Sequence, residues 1–179
     1  MNILMLLGSA RENGNTAALA DACARGARES GCAVDVLNVA RLHIEGCRGC
    51  NLCQTGNGRR CVIADDQFRV YEAMTKADAL VIASPIYFFM LSAQIEAAIQ
   101  RMHATGMPRS LQAAGLILTA GSSGSFDAAQ RQHRMIFNDY LGVRDCGMVT
   151  ASGAENKSPR KLQEAQELGR RFTRLADQP

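Results

Sequence analysis

The chain of 179 residues has no tryptophan, and Phe and Tyr together make up only 5% of it. So few flat side chains leave little on which nucleic-acid bases could stack. Strong charge of one sign is missing too. Lys and Arg number 20 against 17 Asp and Glu, a net charge of +3, too mild for a nucleic-acid partner. No apolar run approaches the roughly 20 residues of a membrane span. The apolar start, Met1 to Leu7, has no basic leader and runs into Gly8-Ser9 instead of a cleavage site. A soluble, cytoplasmic protein is expected. Seven cysteines, an odd number in a chain without a signal peptide, argue against a secreted disulfide framework. No Ser/His/Asp or paired-carboxylate arrangement stands out, so hydrolysis has no support and no catalytic side chain is named.

With 47% hydrophobic and 21% charged residues, the composition is that of an ordinary globular chain. Its length fits one domain, residues 1–179. Apolar runs alternate with helical patterns throughout. Strands are expected at Asn2–Leu7, Ala33–Val39, Ala79–Ala83, Gly115–Thr119 and Cys146–Thr150. Between them lie a helix over Thr16–Ser30 and another over Asp65–Lys76 with Phe68 and Tyr71 inward. An amphipathic helix carries Leu91, Ile95, Ala98, Ile99 and Met102. The next is striped by Phe126, Ala129, His133, Ile136, Phe137 and Tyr140. His133 on that stripe reads as a satisfied structural residue. Ser158-Pro159 opens a last helix striped by Leu162, Ala165, Leu168, Phe172 and Leu175. Strands each followed by a helix mean parallel pairing through right-handed crossovers, with helices on both faces. Continuous apolar runs fit strands covered on both sides. Such a sheet takes ligands beyond the carboxyl ends of its strands.

Three strand ends carry chemistry. The first runs through Gly8-Ser9-Ala10-Arg11-Glu12-Asn13-Gly14-Asn15-Thr16 into a helix whose unpaired N–H groups would suit a phosphate. Its glycines are wrongly spaced for a Walker A loop or for GxGxxG, and no acidic residues mark a receiver domain. A turn with ordinary capping is the plain alternative. The third strand is expected to stop at Ser84-Pro85, followed by Ile86-Tyr87-Phe88-Phe89. Those aromatics would wall a flat heteroaromatic ring, or else cover a loop or a subunit interface. The fourth ends in Thr119-Ala120-Gly121-Ser122, small residues that let a ligand approach the backbone.

GSARENGNT and SPIYFFMLSAQIEAAIQR together resemble the flavodoxin-like NAD(P)H-dependent FMN reductase family. The resemblance implies a flavodoxin-like doubly wound α/β fold with a five-stranded parallel sheet in order 2-1-3-4-5. Its implied cofactor is FMN, with the phosphate on Ser9, Arg11, Gly14, Asn15 and Thr16. Pro85, Ile86, Tyr87, Phe88 and Phe89 would flank the isoalloxazine, and Thr119, Ala120, Gly121 and Ser122 would line its other edge. The implied activity is an NAD(P)H-dependent FMN reductase-like oxidoreductase. NAD(P)H would be the electron donor and a small molecule or a protein the acceptor. A ring site left half open by surface loops leads to a homodimer or tetramer.

The loop at 46–61 holds Cys47, Cys50, Cys53 and Cys61 among Gly46, Gly49, Gly56 and Gly58, with Arg48, Arg59 and Arg60 close by. Sets of four thiolates are what iron–sulfur clusters require. A zinc site, reduced thiols or a thiol–disulfide pair remain open readings. Within the same superfamily the motif resembles that of the iron–sulfur flavoproteins, which implies a [4Fe-4S] cluster exchanging single electrons with FMN. Two further readings of function stand beside the reductase. One is an electron-transfer carrier between FMN and cluster without nicotinamide turnover, the other a cofactor-free regulatory or binding module. Cys23, Cys32 and Cys146 read as small buried hydrophobes.

Overall fold

The computed structural model describes residues 1–173, so Leu175 of the expected last stripe lies outside the described residues. In chain order the elements are β1 (Asn2–Leu7), α1 (Asn15–Glu29), β2 (Ala33–Asn38), α2 (Leu52–Thr55), α3 (Gln67–Thr75), β3 (Ala79–Tyr87), β4 (Met90–Leu91), α4 (Ala93–Arg101), β5 (Ala113–Ala120), α5 (Asp127–His133), β6 (Arg144–Ser152) and α6 (Pro159–Arg171). The parallel strands lie in the order β2-β1-β3-β5-β6. This is the expected flavodoxin-like order, with the two-residue β4 added as an antiparallel partner of β3.

Strand alternation feeds two cores. Ile3, Met5 and Leu7 of β1 and Ala79, Val81 and Ala83 of β3 face α1 and α6. Leu4 and Leu6, with Leu80 and Ile82, face α3, α4 and α5. Both faces being covered, the strands read as unbroken apolar runs. Helices α1 and α6 meet at a glycine on each. A Cβ at Gly26 would sit 1.9 Å from the Gln166 carbonyl oxygen, and one at Gly169 would sit 2.0 Å from that of Cys23. Backbone approach this close admits no side chain. At the start of α6 the Ser158 Oγ accepts from Lys161 N at 3.3 Å, with Pro159 in the first turn, as the sequence indicates.

Four local expectations fail for physical reasons. β3 does not stop at Pro85 but continues to Tyr87, pairing Pro85 with Thr119. Gly8 N donates to Ala83 O, so the main-chain groups at odd positions of β3 face β1, which has already ended opposite Ala83. The missing N–H of Pro85 therefore interrupts no ladder. Phe68 is 60% exposed, because α3 turns Val70 and Met74 to the sheet, with Tyr71 at its margin. Tyr140 is 85% exposed. Residues Arg134–Tyr140 wind as a π-helix, which rotates the stripe away from a 3.6-residue period. Leu91 falls in β4, ahead of α4.

His133 stands where this winding changes. It is 1% exposed, packs 4.9 Å from the Phe137 ring, and neither ring nitrogen has a partner, so it is not the satisfied residue expected. Burial pushes its pKa down to about 4 from the ordinary 6.5, with Arg134 adding to the fall and Asp145 opposing it. Between those values the unfolded chain takes up a proton that the folded chain refuses, so stability is full above pH 6.5 and lost as pH falls toward 4. Unfolding free energy followed by urea titration from pH 7 to 4 should drop on the order of 3 kcal/mol more in the native chain than in His133→Leu. Parallel pH profiles would show that His133 plays no such part.

Candidate functional site

β1 leaves the sheet at Gly8, where an added Cβ would lie 2.4 Å from Ile95 Cγ1 and 2.5 Å from Ser92 Oγ. Only glycine passes beneath α4 there. The following loop is held from outside. Asn38 Nδ2 donates to Ser9 O at 3.0 Å, Lys157 Nζ donates to Asn13 O at 2.6 Å, and Arg41 pairs with Glu12. Helix α1 then starts at an extended Gly14, and no side chain caps its first amides. Those N–H groups and the helix dipole give a locally positive end at the edge where the parallel strands end.

An open cavity of about 190 Å³ lies against that helix end. Ser9, Arg11, Gly14, Asn15 and Thr16 form one wall, Pro85, Ile86 and Tyr87 a second, and Thr119, Ala120 and Gly121 a third. Three loops far apart in sequence thus converge as the sequence reading placed them. Thr16 and Thr119, both buried, meet hydroxyl to hydroxyl at 2.6 Å. One donates to the other, and the accepting hydroxyl keeps its own hydrogen for a ligand.

Phe88, Phe89 and Ser122 stand outside this cavity. Phe88 and Phe89 form the tip of the β3–β4 hairpin with φ of 48° and 69°, a left-handed pairing that normally selects Asn-Gly. The tip throws both rings outward, edge to face at 6.0 Å, with Phe88 94% exposed. Beyond Gly121 the chain bends away from the cavity, and the Ser122 carbonyl accepts from Ser125 Oγ at 3.0 Å. One lining residue was missed by sequence reasoning: Asn156, from the turn after β6. It has no local motif.

Cys47, Cys50, Cys53 and Cys61 line a separate cavity of about 320 Å³, together with Arg48 and His103. Their loop is not wholly irregular, since α2 forms within it behind a left-handed Asn51. All four thiols are free, Cys47 and Cys50 exposed and Cys53 and Cys61 half-buried. Among the described residues no three metal-ligating groups stand close enough together, as placed, to hold a metal ion. The donor set nonetheless fits an iron–sulfur cluster. Four free thiols line one hollow on a glycine-rich loop, and thiolates in fours are the ligands such a cluster takes.

The ends of the loop are fixed by a buried charge pair. Arg101, last residue of α4, meets Asp65 through both oxygens at 2.8 and 3.2 Å, each side chain 1% exposed. Arg101 also donates to the carbonyls of Glu45 at 3.0 Å and Ile63 at 3.3 Å, on either side of the cysteines. Asp65 in turn accepts from the amides of Glu45 and Gln67. Burial pushes the Asp65 carboxyl up, but Arg101 and the two amides outweigh it and hold it below the usual carboxylate range. For Arg101, burial lowers the pKa and Asp65 more than restores it. Asp65→Asn should cost about 3–5 kcal/mol in urea unfolding at pH 7, because it strands a buried guanidinium. The pair's contribution is present above the ordinary carboxylate range and vanishes as pH falls through the lowered Asp65 value. An Asp65→Asn loss under 1 kcal/mol would contradict this account.

A family model described as NADPH-dependent FMN reductase matches residues 1–156. An iron–sulfur flavoprotein of Methanocaldococcus jannaschii is 31% identical over 101 residues, 56% of this chain and 51% of the relative. One from Archaeoglobus fulgidus is 31% identical over 102 residues, 57% and 46% of the two chains. The chain thus spans about half the length of the curated relatives it matches. Among solved structures, an NAD(P)H:quinone oxidoreductase from Methanothermobacter marburgensis superposes with TM-score 0.73 at 17% identity, covering 100% of this chain and 98% of that one. An archaeal flavodoxin does so with TM-score 0.61 at 14% identity, covering 99% and 100%. At such identities the superpositions establish the flavodoxin-like fold.

Proposed function

The chain belongs to the NADPH-dependent FMN reductase family, and from that premise we propose that it binds FMN at the α1 cavity and acts as an NAD(P)H-dependent oxidoreductase. The observation that carries this reading is the uncapped start of α1 opening beside the buried hydroxyls of Ser9 and Thr16. Free amides, a helix dipole, hydroxyls and one guanidinium form a donor set for a phosphate dianion. In this reading the phosphate is held by Ser9, Arg11, Gly14, Asn15 and Thr16. Thr119, Ala120 and Gly121 carry the chain toward the ring, with Ser122 at its outer edge. Pro85, Ile86 and Tyr87 back the isoalloxazine, and Phe88 and Phe89 rim it.

Bound FMN supplies hydride acceptance from a nicotinamide and onward electron transfer to a small-molecule or protein acceptor. The protein's work is orientation and shielding. The loop tied by Asn38, Arg41 and Lys157 fixes the phosphate end, and the apolar β3 residues keep water from one face. No acid–base side chain is required.

Cys47, Cys50, Cys53 and Cys61 would hold a [4Fe-4S] cluster. That cavity, together with relatives named as iron–sulfur flavoproteins, favours as a second reading an electron carrier without nicotinamide turnover. The exposed ridge Tyr87–Met90 supports a homodimer or tetramer in which a second copy covers the ring. Among the described residues no helix is long and apolar enough to cross a membrane.

Protein purified without oxygen decides between the readings. The expected result is a flavin spectrum bleached by NADH or NADPH, with iron and acid-labile sulfide present. Iron and sulfide with no bleaching would select the carrier. Colourless protein that ignores added FMN would sink both. Gel filtration should return a dimer or tetramer, and a monomer with full flavin affinity would remove the covering copy.

A further inference from the structure

We propose that Asn156 reads the ribityl chain of the flavin, its Oδ1 accepting a hydrogen bond from one of the chain's hydroxyls. This rests on the α1 cavity being the FMN site and adds a fourth segment, the turn after β6, to the three that sequence motifs mark.

Asn156 lines the cavity yet is only 6% exposed. Its Nδ2 donates to Ala120 O at 2.9 Å and to Gly153 O at 3.0 Å. Two carbonyls need two N–H groups, so the orientation of the amide is set, and Oδ1 is left as the spare acceptor. That oxygen is buried and has no hydrogen-bond partner within the protein. An acceptor withdrawn from water and left unpaired is costly, and such atoms in native folds call for an explanation.

The chemistry of the missing partner is restricted. A carbonyl oxygen needs a donor, and a phosphate dianion offers only acceptors. The methylated edge of the flavin offers no donor either. The hydroxyl groups of the ribityl chain and the N3–H of the ring are what remain. Placement chooses between them. Ala120, which Asn156 grips, follows Thr119, whose hydroxyl meets Thr16 in the first turn of α1. Lys157, the next residue, holds the Asn13 carbonyl of the phosphate loop. Asn156 therefore stands where a ligand passes from its phosphate to its ring. Asn156 touches the ligand, whereas Lys157 positions the loop.

The test is a fluorescence titration of flavin-stripped, full-length protein with FMN and with its 2′-, 3′- and 4′-deoxy analogues. One analogue should bind the native protein about tenfold more weakly than FMN. In Asn156→Ala that penalty should disappear, FMN itself binding about tenfold more weakly than to the native chain. Thermal melting of the flavin-free variants confirms folding, and Asn156→Leu, close in volume, replaces the alanine variant if that one unfolds. Equal binding of all four flavins to the native protein overturns the proposal. So does a deoxy penalty that persists undiminished in the variants. Native protein that binds no FMN overturns the flavin reading itself, whereas FMN binding without any deoxy penalty overturns only the role of Asn156.

Discussion

A guanidinium and a carboxylate taken out of water hold the most irregular part of this molecule in place. Moving Asp65 and Arg101 to 1% exposure costs several kcal/mol per charge, and their attraction offsets it only because almost every polar atom is engaged. Asp65 spends its oxygens on Arg101 and two amides, and Arg101 adds two carbonyls. The loop between can then be glycine-rich and lightly structured, since both its ends are fastened to the end of α4. Helix α4 starts beside Gly8 at the first-strand loop and finishes at Arg101. One helix of nine residues, about 14 Å long, thereby ties the β1–α1 loop to the cysteine cavity.

The cavity against the start of α1 follows a different logic. Its walls come from three strand ends, and a parallel sheet brings these to one edge as a matter of topology. The outer contacts of the first loop run to Asn38, Arg41 and Lys157, and no side chain caps the first amides of α1. Helix amides left uncapped inside, with loop acceptors satisfied outside, are what distinguish this turn from an ordinary capped one.

Legibility in the sequence divided along the same line. Parallel pairing, the two-sided cover and the convergence of Ser9–Thr16, Pro85–Tyr87 and Thr119–Gly121 follow from local patterns repeated along the chain, whereas the strand order came from the family resemblance. Asn156 acts on Ala120 36 residues away, Lys157 on Asn13 144 away and Arg101 on Asp65 36 away, and no spacing rule reaches that far. A faint trace existed for Arg101, which sits three residues after Ala98 on the apolar side of α4, where a charge needs a partner. Pro85 misled because a strand proline matters only when its absent N–H would face a neighbour. Tyr140 misled because a π-helix changes the period, and nothing in RMIFNDY announces that winding.

The hairpin tip at Phe88 and Phe89 has an implication for anyone engineering this chain. Each residue sits in a backbone region that costs an ordinary side chain on the order of 1–2 kcal/mol, so Asn-Gly would be the more comfortable occupant. A library ranked by heat tolerance would drift toward that pair and discard two exposed rings. Robustness and the character of the rim are set against each other at this one bend, and improving the first by blind selection would quietly erase the second.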